Sequence, residues 1–201
     1  MNQKTALKQL KILGKNNFEM RLAAENWKSN FQILISTALS ARTRDEVTIP
    51  VSEKLFKRFP NEKKLANAKQ SEIENIIRHV NFYRNKSKNI IECSKQLVEL
   101  RKIPLEINEL IKLRGVGRKT ANVFLSEIGS DGIGVDTHVS YISQKLKWTK
   151  NKNPHKIEAD LKKLFSKKHW NRINQTLVRF GKTHTSRKNK NNILEEISKI
   201  K

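Results

Sequence analysis

The chain has 201 residues, 36% hydrophobic and 30% charged, so it can bury a sizeable core in one or two domains. Its 42 lysines and arginines against 19 acidic residues give a net charge of +23, which favours a phosphate polyanion such as nucleic acid as the partner. An anionic membrane surface or a merely basic solvated shell are the alternatives. The single cysteine, Cys93, excludes an intrachain disulfide and a cysteine-ligated metal cluster.

Apolar residues recur at helical spacing through the first half of the chain. The segment FQILISTALSA is apolar on nearly all sides, which predicts a helix buried in the middle of the fold. Ser71 and Glu74 form a capping-box pattern, which predicts that a short helix begins there. Cys93 lies near an apolar stripe and is interpreted as a small buried hydrophobe. Helices are predicted over residues 4–13, 31–41, 45–58 and 86–101, the last with Ile90, Ser94, Leu97 and Arg101 on one face.

The second half continues the helical pattern around glycine-containing turns. A short helix after Pro104 runs into Gly115 and Gly117, and another helix follows as RKTANVFLSEI. No segment shows the alternation typical of a strand, so the predicted fold class is all-α. The remaining predictions are helices over residues 137–147, 154–165 and about 170–180, then a basic polar loop from Lys182 to Asn192 and a short amphipathic end.

The stretch LRGVGRKTANVFL reads as helix, tight turn, helix. Gly115 and Gly117 allow positive φ and let the backbone approach a ligand closely. The amides at the start of the second helix have no intrahelical acceptor and lie at the positive end of its dipole, so they favour an anion such as a backbone phosphate. An ordinary packing corner between two helices is the alternative.

LRGVGRKTANVFL followed by VDTHV resembles the helix-hairpin-helix and Gly/Asp motif of the endonuclease III family of DNA glycosylases. FQILISTALSARTRDEVT and VNFYRNKSKNI agree with further segments of that family, and the resemblance runs from about residue 20 to 180. It implies an all-α, two-lobed helix-hairpin-helix DNA glycosylase fold. One domain would be a helical barrel over residues 21–130 with the hairpin at about 107–128, and the other would combine residues 1–20 with 131–201.

The resemblance implies a bifunctional DNA glycosylase/AP lyase of base excision repair. In that family a lysine amine attacks the sugar C1′, forms a Schiff base and cleaves the strand by β-elimination. The matching residues here are Lys119, as nucleophile, and Asp136, whose carboxylate would cap the next helix and stabilise an oxocarbenium-like sugar or help deprotonate the lysine. They are 17 positions apart, which fits one helix plus a return turn, and we expect them to meet across a cleft.

Excision also requires the nucleotide to be flipped out of the duplex and the gap to be filled. By resemblance, Arg42 lies where a gap-filling polar residue is common and Phe82 where an apolar wedge is common. The alternatives are core packing for Phe82 and a surface charge or phosphate contact for Arg42. His138 is either a polar group near phosphate or a structural residue, and the structural interpretation is favoured. The hairpin residues expected to contact DNA are Gly115, Val116, Gly117, Arg118 and Thr120.

The chain departs from the family in two places. Many members hold an iron–sulfur cluster on four cysteines near the end of the fold, but RFGKTHTSRKNKNNILEEISKI has none. We expect a basic stretch from Lys182 to Lys190 to replace that loop, with Lys182 and Arg187 on phosphates or, alternatively, in a floppy basic tail. Arg114 stands where proline is usual, a change that the hairpin should tolerate. No iron–sulfur or redox cofactor is expected, and a monovalent cation on carbonyls near Leu113 and Val116 is plausible.

The expected partner is double-stranded DNA carrying a damaged base, oxidised pyrimidines above all, or an abasic site. No membrane partner is expected, and the protein is predicted to be a cytoplasmic, nucleoid-associated monomer, since no apolar run suits a signal peptide or a membrane span. One alternative is a non-catalytic helix-hairpin-helix DNA-binding protein, which would need the glycines but neither Lys119 nor Asp136. A general basic RNA or chromatin binder would need no hairpin.

Overall fold

The computed structural model describes residues 1–200, and within them the regular structure is entirely helical, which confirms the all-α prediction. The described residues form two compact units. The central unit is Arg21–Ile128, and the terminal unit joins Met1–Met20 to the described residues from Gly129 onward. The helices are α1 Gln3–Lys15, α2 Asn30–Ser40, α3 Asp45–Arg58, α4 Glu62–Ala66, α5 Gln70–Ile77, α6 Tyr83–Leu100, α7 Ile107–Leu110, α8 Arg118–Glu127, α9 Thr137–Lys145, α10 Pro154–Leu164, α11 Trp170–Thr183 and α12 Arg187–Ser198.

Helix α2 forms the middle of the central unit, as its apolar sequence predicted. Leu34, Ile35 and Leu39 are fully buried, and α3, α6 and α8 pack around the helix. Ser29 caps its start by accepting from the Gln32 amide at 3.3 Å. Because α2 is surrounded, the segments at its two ends are fixed relative to α6 and α8.

Helix α6 also lies in the central unit and differs from its prediction at the carboxyl end. Ser94 and Leu97 are buried as expected, but Arg101 is exposed and has φ 56°. This left-handed residue ends the helix and turns the chain away, so the predicted face stops one turn earlier. Cys93 is buried, and burial raises the pKa of its thiol to about 12, which confirms the interpretation of a small hydrophobe.

The predicted capping box at Ser71 is wrong. Helix α5 begins at Gln70, with Lys69 as the cap residue and no side-chain capping bond, so Ser71 lies inside the first turn. The Glu74 carboxylate accepts instead from Gln70 Nε2 at 2.7 Å and from Ser87 Oγ at 3.3 Å. The Glu74 carboxylate, which the local pattern predicted to cap the helix, therefore accepts a hydrogen bond from Ser87 of α6 instead.

In the terminal unit, the first and the last helices pack together. Gln9 of α1 accepts from Trp148 Nε1 at 2.6 Å and donates to the Ile197 carbonyl of α12 at 3.2 Å. Leu194 and Ile197 bury the apolar face of α12. Among the described residues, no helix is both long enough and apolar enough to cross a membrane.

Candidate active site and nucleic-acid interface

The helix-hairpin-helix segment lies in the central unit and consists of α7, the turn over residues 111–117 and α8. Leu113 and Val116 anchor its turn in the core, each 4% exposed. The Val116 amide donates to the Leu113 carbonyl at 3.0 Å and closes the turn. Since the apolar side chains point inward, the exposed part of the turn consists of Arg114 and the two glycines.

The two glycines differ in backbone conformation and in their surroundings. Gly115 has φ +80°, and a Cβ added there would lie 2.8 Å from Cβ of Asn89 on α6. Gly117 has φ −85° as the cap residue of α8, and an added Cβ would meet nothing within 4 Å. The freedom to adopt positive φ is therefore used at Gly115 and not at Gly117. At Gly117 the missing side chain leaves open space in front of the α8 amides.

Arg114 fits the hairpin in a way that proline could not. Its backbone amide donates to Gln96 Oε1 at 2.7 Å, a bond that proline lacks the hydrogen to make. Its Nε donates to Asn89 Oδ1 at 3.2 Å. Both partners lie on α6, so Arg114 ties the turn to that helix while its side chain remains exposed.

Lys119 is the second residue of α8 and is half-buried. The first helical bond of α8 runs from the Ala121 amide to the Gly117 carbonyl at 2.9 Å, so the preceding amides lack intrahelical acceptors. Gly117 has no side chain that could accept from them. The backbone amide of Lys119 is therefore one of those that favour an anion at the start of α8. Thr120 is buried, and Arg118 is half-buried next to Lys119.

Asp136 caps α9 in the terminal unit. Its Oδ1 accepts from the Val139 amide at 2.8 Å, and its carbonyl accepts from the Ser140 amide at 2.9 Å. The preceding segment is held in place by Asn174, whose Nδ2 donates to the Gly134 carbonyl at 2.7 Å. The capping hydrogen bond uses one of the two carboxylate oxygens, Oδ1. Lys119 and Asp136 belong to different units.

The His138 ring packs closely against Gly181 of α11 in the terminal unit. A Cβ added to Gly181 of α11 would lie 2.6 Å from Cγ of His138, and closer still to Nδ1. The imidazole therefore occupies the space that a side chain at Gly181 would need. This contact supports the structural interpretation of His138.

Replacing Gly181 by alanine is expected to destabilise the terminal unit by about 1–3 kcal/mol, because the methyl group overlaps the imidazole. An alanine in a helix normally stabilises relative to glycine, so the sign of the change is diagnostic. Gly14→Ala in α1 is the matched control: its Cβ would lie 3.9 Å from Thr176 Cγ2, and a gain of about 0.5–1 kcal/mol is expected. Urea denaturation measures both, and equal stabilisation by both substitutions would contradict the packing role.

Arg42 and Phe82 are exposed neighbours in the central unit. The Arg42 guanidinium carbon lies 4.9 Å from the centroid of the Phe82 ring. Both residues have left-handed backbones, with φ 58° and 60°. Phe82 is 55% exposed, which excludes the core-packing alternative for its side chain. The structure thus brings together the two residues predicted to enter the duplex.

The predicted basic loop from Lys182 to Asn192 is wrong. Lys182 lies in the last turn of α11, and Arg187 is the first residue of α12. Ser186 caps α12 by accepting from the Asn189 amide at 3.5 Å, and Lys190 Nζ donates to the Gly181 carbonyl at 2.9 Å. The serine before the basic run was the signal that could have revealed this helix start. Arg187 is exposed and Lys182 is half-buried.

Comparison with known proteins places these features in a family. Residues 35–167 match the HhH-GPD superfamily of base excision DNA repair proteins. Endonuclease III of Thermotoga maritima is 43% identical over 155 residues, which cover 76% of this chain and 73% of the relative. The chain belongs to the endonuclease III family. It is a base excision repair DNA glycosylase/AP lyase, as its sequence predicted.

Two further comparisons agree with this membership of the endonuclease III family. Endonuclease III of a Synechocystis strain is 38% identical over 78% of this chain and 74% of the relative. A solved structure of a trapped endonuclease III–DNA covalent intermediate, in an estranged-adenine complex, superposes with a TM-score of 0.82 at 29% identity. That superposition covers 92% of this chain and 89% of the solved chain.

The iron–sulfur cluster of many endonuclease III proteins does not fit the residues of this chain. A cluster of that kind needs four cysteine thiolates, and the sequence has only Cys93, which is buried. Among the described residues, no group of three or more His, Cys, Asp or Glu side chains is arranged to hold a metal ion. The expected monovalent cation near Leu113 and Val116 remains a prediction.

Sequence reasoning missed the residues that support the exposed Arg42–Phe82 pair. Lys86 and Asn81 both bond to the turn that follows α2. Lys86 lies within the segment VNFYRNKSKNI that carried part of the resemblance, yet no local pattern shows what a lysine there contacts. Its partners lie more than 40 positions away in the chain, so only the fold could reveal them.

Proposed function

We propose that Lys119 is the amine nucleophile of this endonuclease III family member. Its nitrogen bonds to the sugar C1′ as the glycosidic bond breaks, and the base leaves with the electron pair and takes up a proton. Opening of the sugar ring gives the Schiff base, and loss of a C2′ proton then expels the 3′ phosphate by β-elimination. The observation that carries this proposal is the position of the half-buried lysine in the first turn of α8, two residues after the open Gly117 cap.

Asp136 is the second group of the proposed mechanism. The glycosidic step develops positive charge on the sugar, which a fixed carboxylate stabilises. The hydrogen bond from the Val139 amide at 2.8 Å holds one carboxylate oxygen and leaves the other able to act.

Duplex DNA is the proposed partner. The protein is proposed to bind it as a monomer and to have no membrane partner. The hairpin would approach a phosphate with the backbone of Gly115, Val116 and Gly117, because the Val116 side chain is buried. The first-turn residues Arg118 and Thr120 would contribute charge and a helix amide. In the terminal unit, Lys182 and Arg187 are proposed phosphate contacts. The solved relative in covalent complex with DNA supports this partner.

Arg42 and Phe82 are proposed to fill the gap left by the extruded nucleotide. A guanidinium can hydrogen-bond to the orphaned base, and an exposed phenyl ring can stack in the duplex. Their exposure and mutual contact suit both tasks. Oxidised pyrimidines, opposite an intact base, are the proposed lesions. The protein is proposed to be cytoplasmic and associated with the nucleoid.

The test is to identify the amine that reacts. The wild-type protein is incubated with borohydride and duplex DNA that carries an abasic site or an oxidised pyrimidine, and the trapped adduct is digested and sequenced by mass spectrometry. Modification of Lys119 is expected, because it alone is proposed to reach C1′. An adduct on another amine would overturn the assignment, and no adduct on either substrate would contradict the Schiff-base mechanism.

A further inference from the structure

The turn that follows α2 contains a strained residue, Arg42, and is hydrogen-bonded by a half-buried lysine, Lys86. Helix α2 ends at Ser40, and Arg42 has the left-handed φ of 58°, which is unfavourable for a residue with a side chain. Lys86 Nζ donates to the Leu39 carbonyl at 2.7 Å and to the Ala41 carbonyl at 2.6 Å. These oxygens lie at the negative end of the α2 dipole, where an ammonium is stabilising.

The same ammonium reaches the far side of the turn. Its third hydrogen bond runs to Thr43 Oγ1 at 3.3 Å. An ammonium has three donor hydrogens, so these acceptors use its full capacity. Lys86 therefore holds the residues on both sides of Arg42, and its role differs from that of a free surface charge.

Asn81 links this turn to the second loop. Its Nδ2 donates to the Arg42 carbonyl at 2.5 Å, and its amide donates to Thr43 Oγ1 at 3.1 Å. The next residue, Phe82, also has a left-handed backbone, and its ring lies against the Arg42 guanidinium. Thr43 Oγ1 thus accepts from both Lys86 and Asn81, and the two loops share one hydrogen-bonded support.

We propose that Lys86 is a positioning residue whose ammonium fixes the 41–43 turn against residues 81–82, so that Arg42 and Phe82 reach the duplex as one preassembled pair. The proposal rests on the proposed DNA contacts of Arg42 and Phe82. Preassembly matters because an inserting group that is already ordered loses less conformational freedom on binding. Lys86 itself need not touch DNA.

Burial is consistent with this role. It lowers the pKa of Lys86 to about 8, so the group is still mostly protonated at neutral pH and can donate to all three acceptors. Lys86 also borders a small cavity with Asn89, Arg114 and Gly115, on the side of α6 that faces the hairpin turn. Its ammonium nitrogen is bonded to the turn that follows α2, so its proposed role is positioning, whereas Lys119 is the proposed nucleophile.

The experiment compares Lys86→Met with Lys95→Met, which removes an exposed lysine of the same helix that pairs with Glu92. Each protein is bound to duplex DNA in which 2-aminopurine lies opposite a non-cleavable abasic analogue, and the fluorescence reports unstacking of the orphaned base without any chemistry. Lys86→Met is expected to lose most of the fluorescence rise, whereas Lys95→Met keeps it. An unchanged rise in Lys86→Met would overturn the proposal.

Kinetics separate positioning from general damage. For Lys86→Met we expect kcat/KM on lesion duplex to fall about tenfold to a hundredfold, with borohydride trapping on single-stranded abasic DNA unchanged. In a Phe82→Ala background, Lys86→Met should cause a smaller fold-loss than it causes in the wild type, because only its support of Arg42 remains to be lost. Equal losses on single and double strands, or full additivity with Phe82→Ala, would show a merely structural lysine and overturn the proposal.

A second variant guards against misfolding of Lys86→Met. Thr43→Val removes the hydroxyl shared by Lys86 and Asn81 with little change of shape, and it is expected to reproduce a weaker form of the same duplex-only defect. Lys86→Arg keeps the charge and should restore part of the fluorescence rise. If the wild-type protein gave no trapped adduct, only the proposed role of Lys119 would be contradicted. The proposed role of Lys86 would still be tested, because the fluorescence measurement needs no reaction.

Discussion

Lys119→Gln is expected to lower base excision and strand cleavage by at least about a thousandfold, because no other group replaces the nucleophilic amine. Glutamine is similar in length and in helix propensity, so α8 should fold normally. The adduct trapped by borohydride should disappear. Affinity for undamaged duplex should fall only modestly, with the salt dependence of binding reduced by about one charge.

The control for Lys119→Gln is Lys112→Gln, which removes an equal charge from the same hairpin segment. Lys112 is exposed and pairs with Glu109 at 2.6 Å, a contact of small energetic weight at the surface. Both variants should therefore lose similar affinity, and only Lys119→Gln should lose chemistry. Single-turnover excision and electrophoretic binding assays measure the two quantities. Equal excision rates in the two variants would show that the reacting amine lies elsewhere.

The hairpin and its lysine could be predicted because their signals are local. The turn needs glycine at Gly115 for its positive φ, and the helix that follows begins at once, so the spacing of a few residues fixes where Lys119 lies. The cap at Asp136 is local in the same sense, since its oxygen reaches an amide three residues away. Features of this kind can be recognised from the sequence alone, because their residues lie within a few positions of one another in the chain.

Other features could not be predicted because their partners are distant in the chain. The capping box at Ser71 is wrong because α5 begins one residue earlier, at Gln70. The Glu74 carboxylate accepts from Gln70 and from Ser87 of α6 instead. The basic run after Lys182 looked like a loop because its charges hide a helix whose anchors, Leu194 and Ile197, come at its end. The support of Arg42 by Lys86 joins residues on α2 and α6, which only tertiary packing brings together.

Gly115→Ala is expected to destabilise the central unit by about 2–4 kcal/mol. A left-handed backbone costs a residue with a Cβ about 1–2 kcal/mol, and overpacking against Asn89 at 2.8 Å adds a similar amount. The hairpin would shift to relieve the overlap, so DNA affinity should fall together with stability. Urea denaturation and binding to an abasic-analogue duplex measure the two effects.

Gly117→Ala separates the fold from the interface, because the same methyl group is added two residues away in open space. Its φ of −85° suits alanine, so the expected loss of stability is below about 1 kcal/mol. DNA affinity should nevertheless fall about tenfold, since the methyl group would stand between the α8 amides and a phosphate. If Gly117→Ala binds DNA as tightly as the wild type, the hairpin backbone does not approach the phosphate there. If it unfolds as readily as Gly115→Ala, the two glycines share a structural role and the open space at Gly117 has no part in binding.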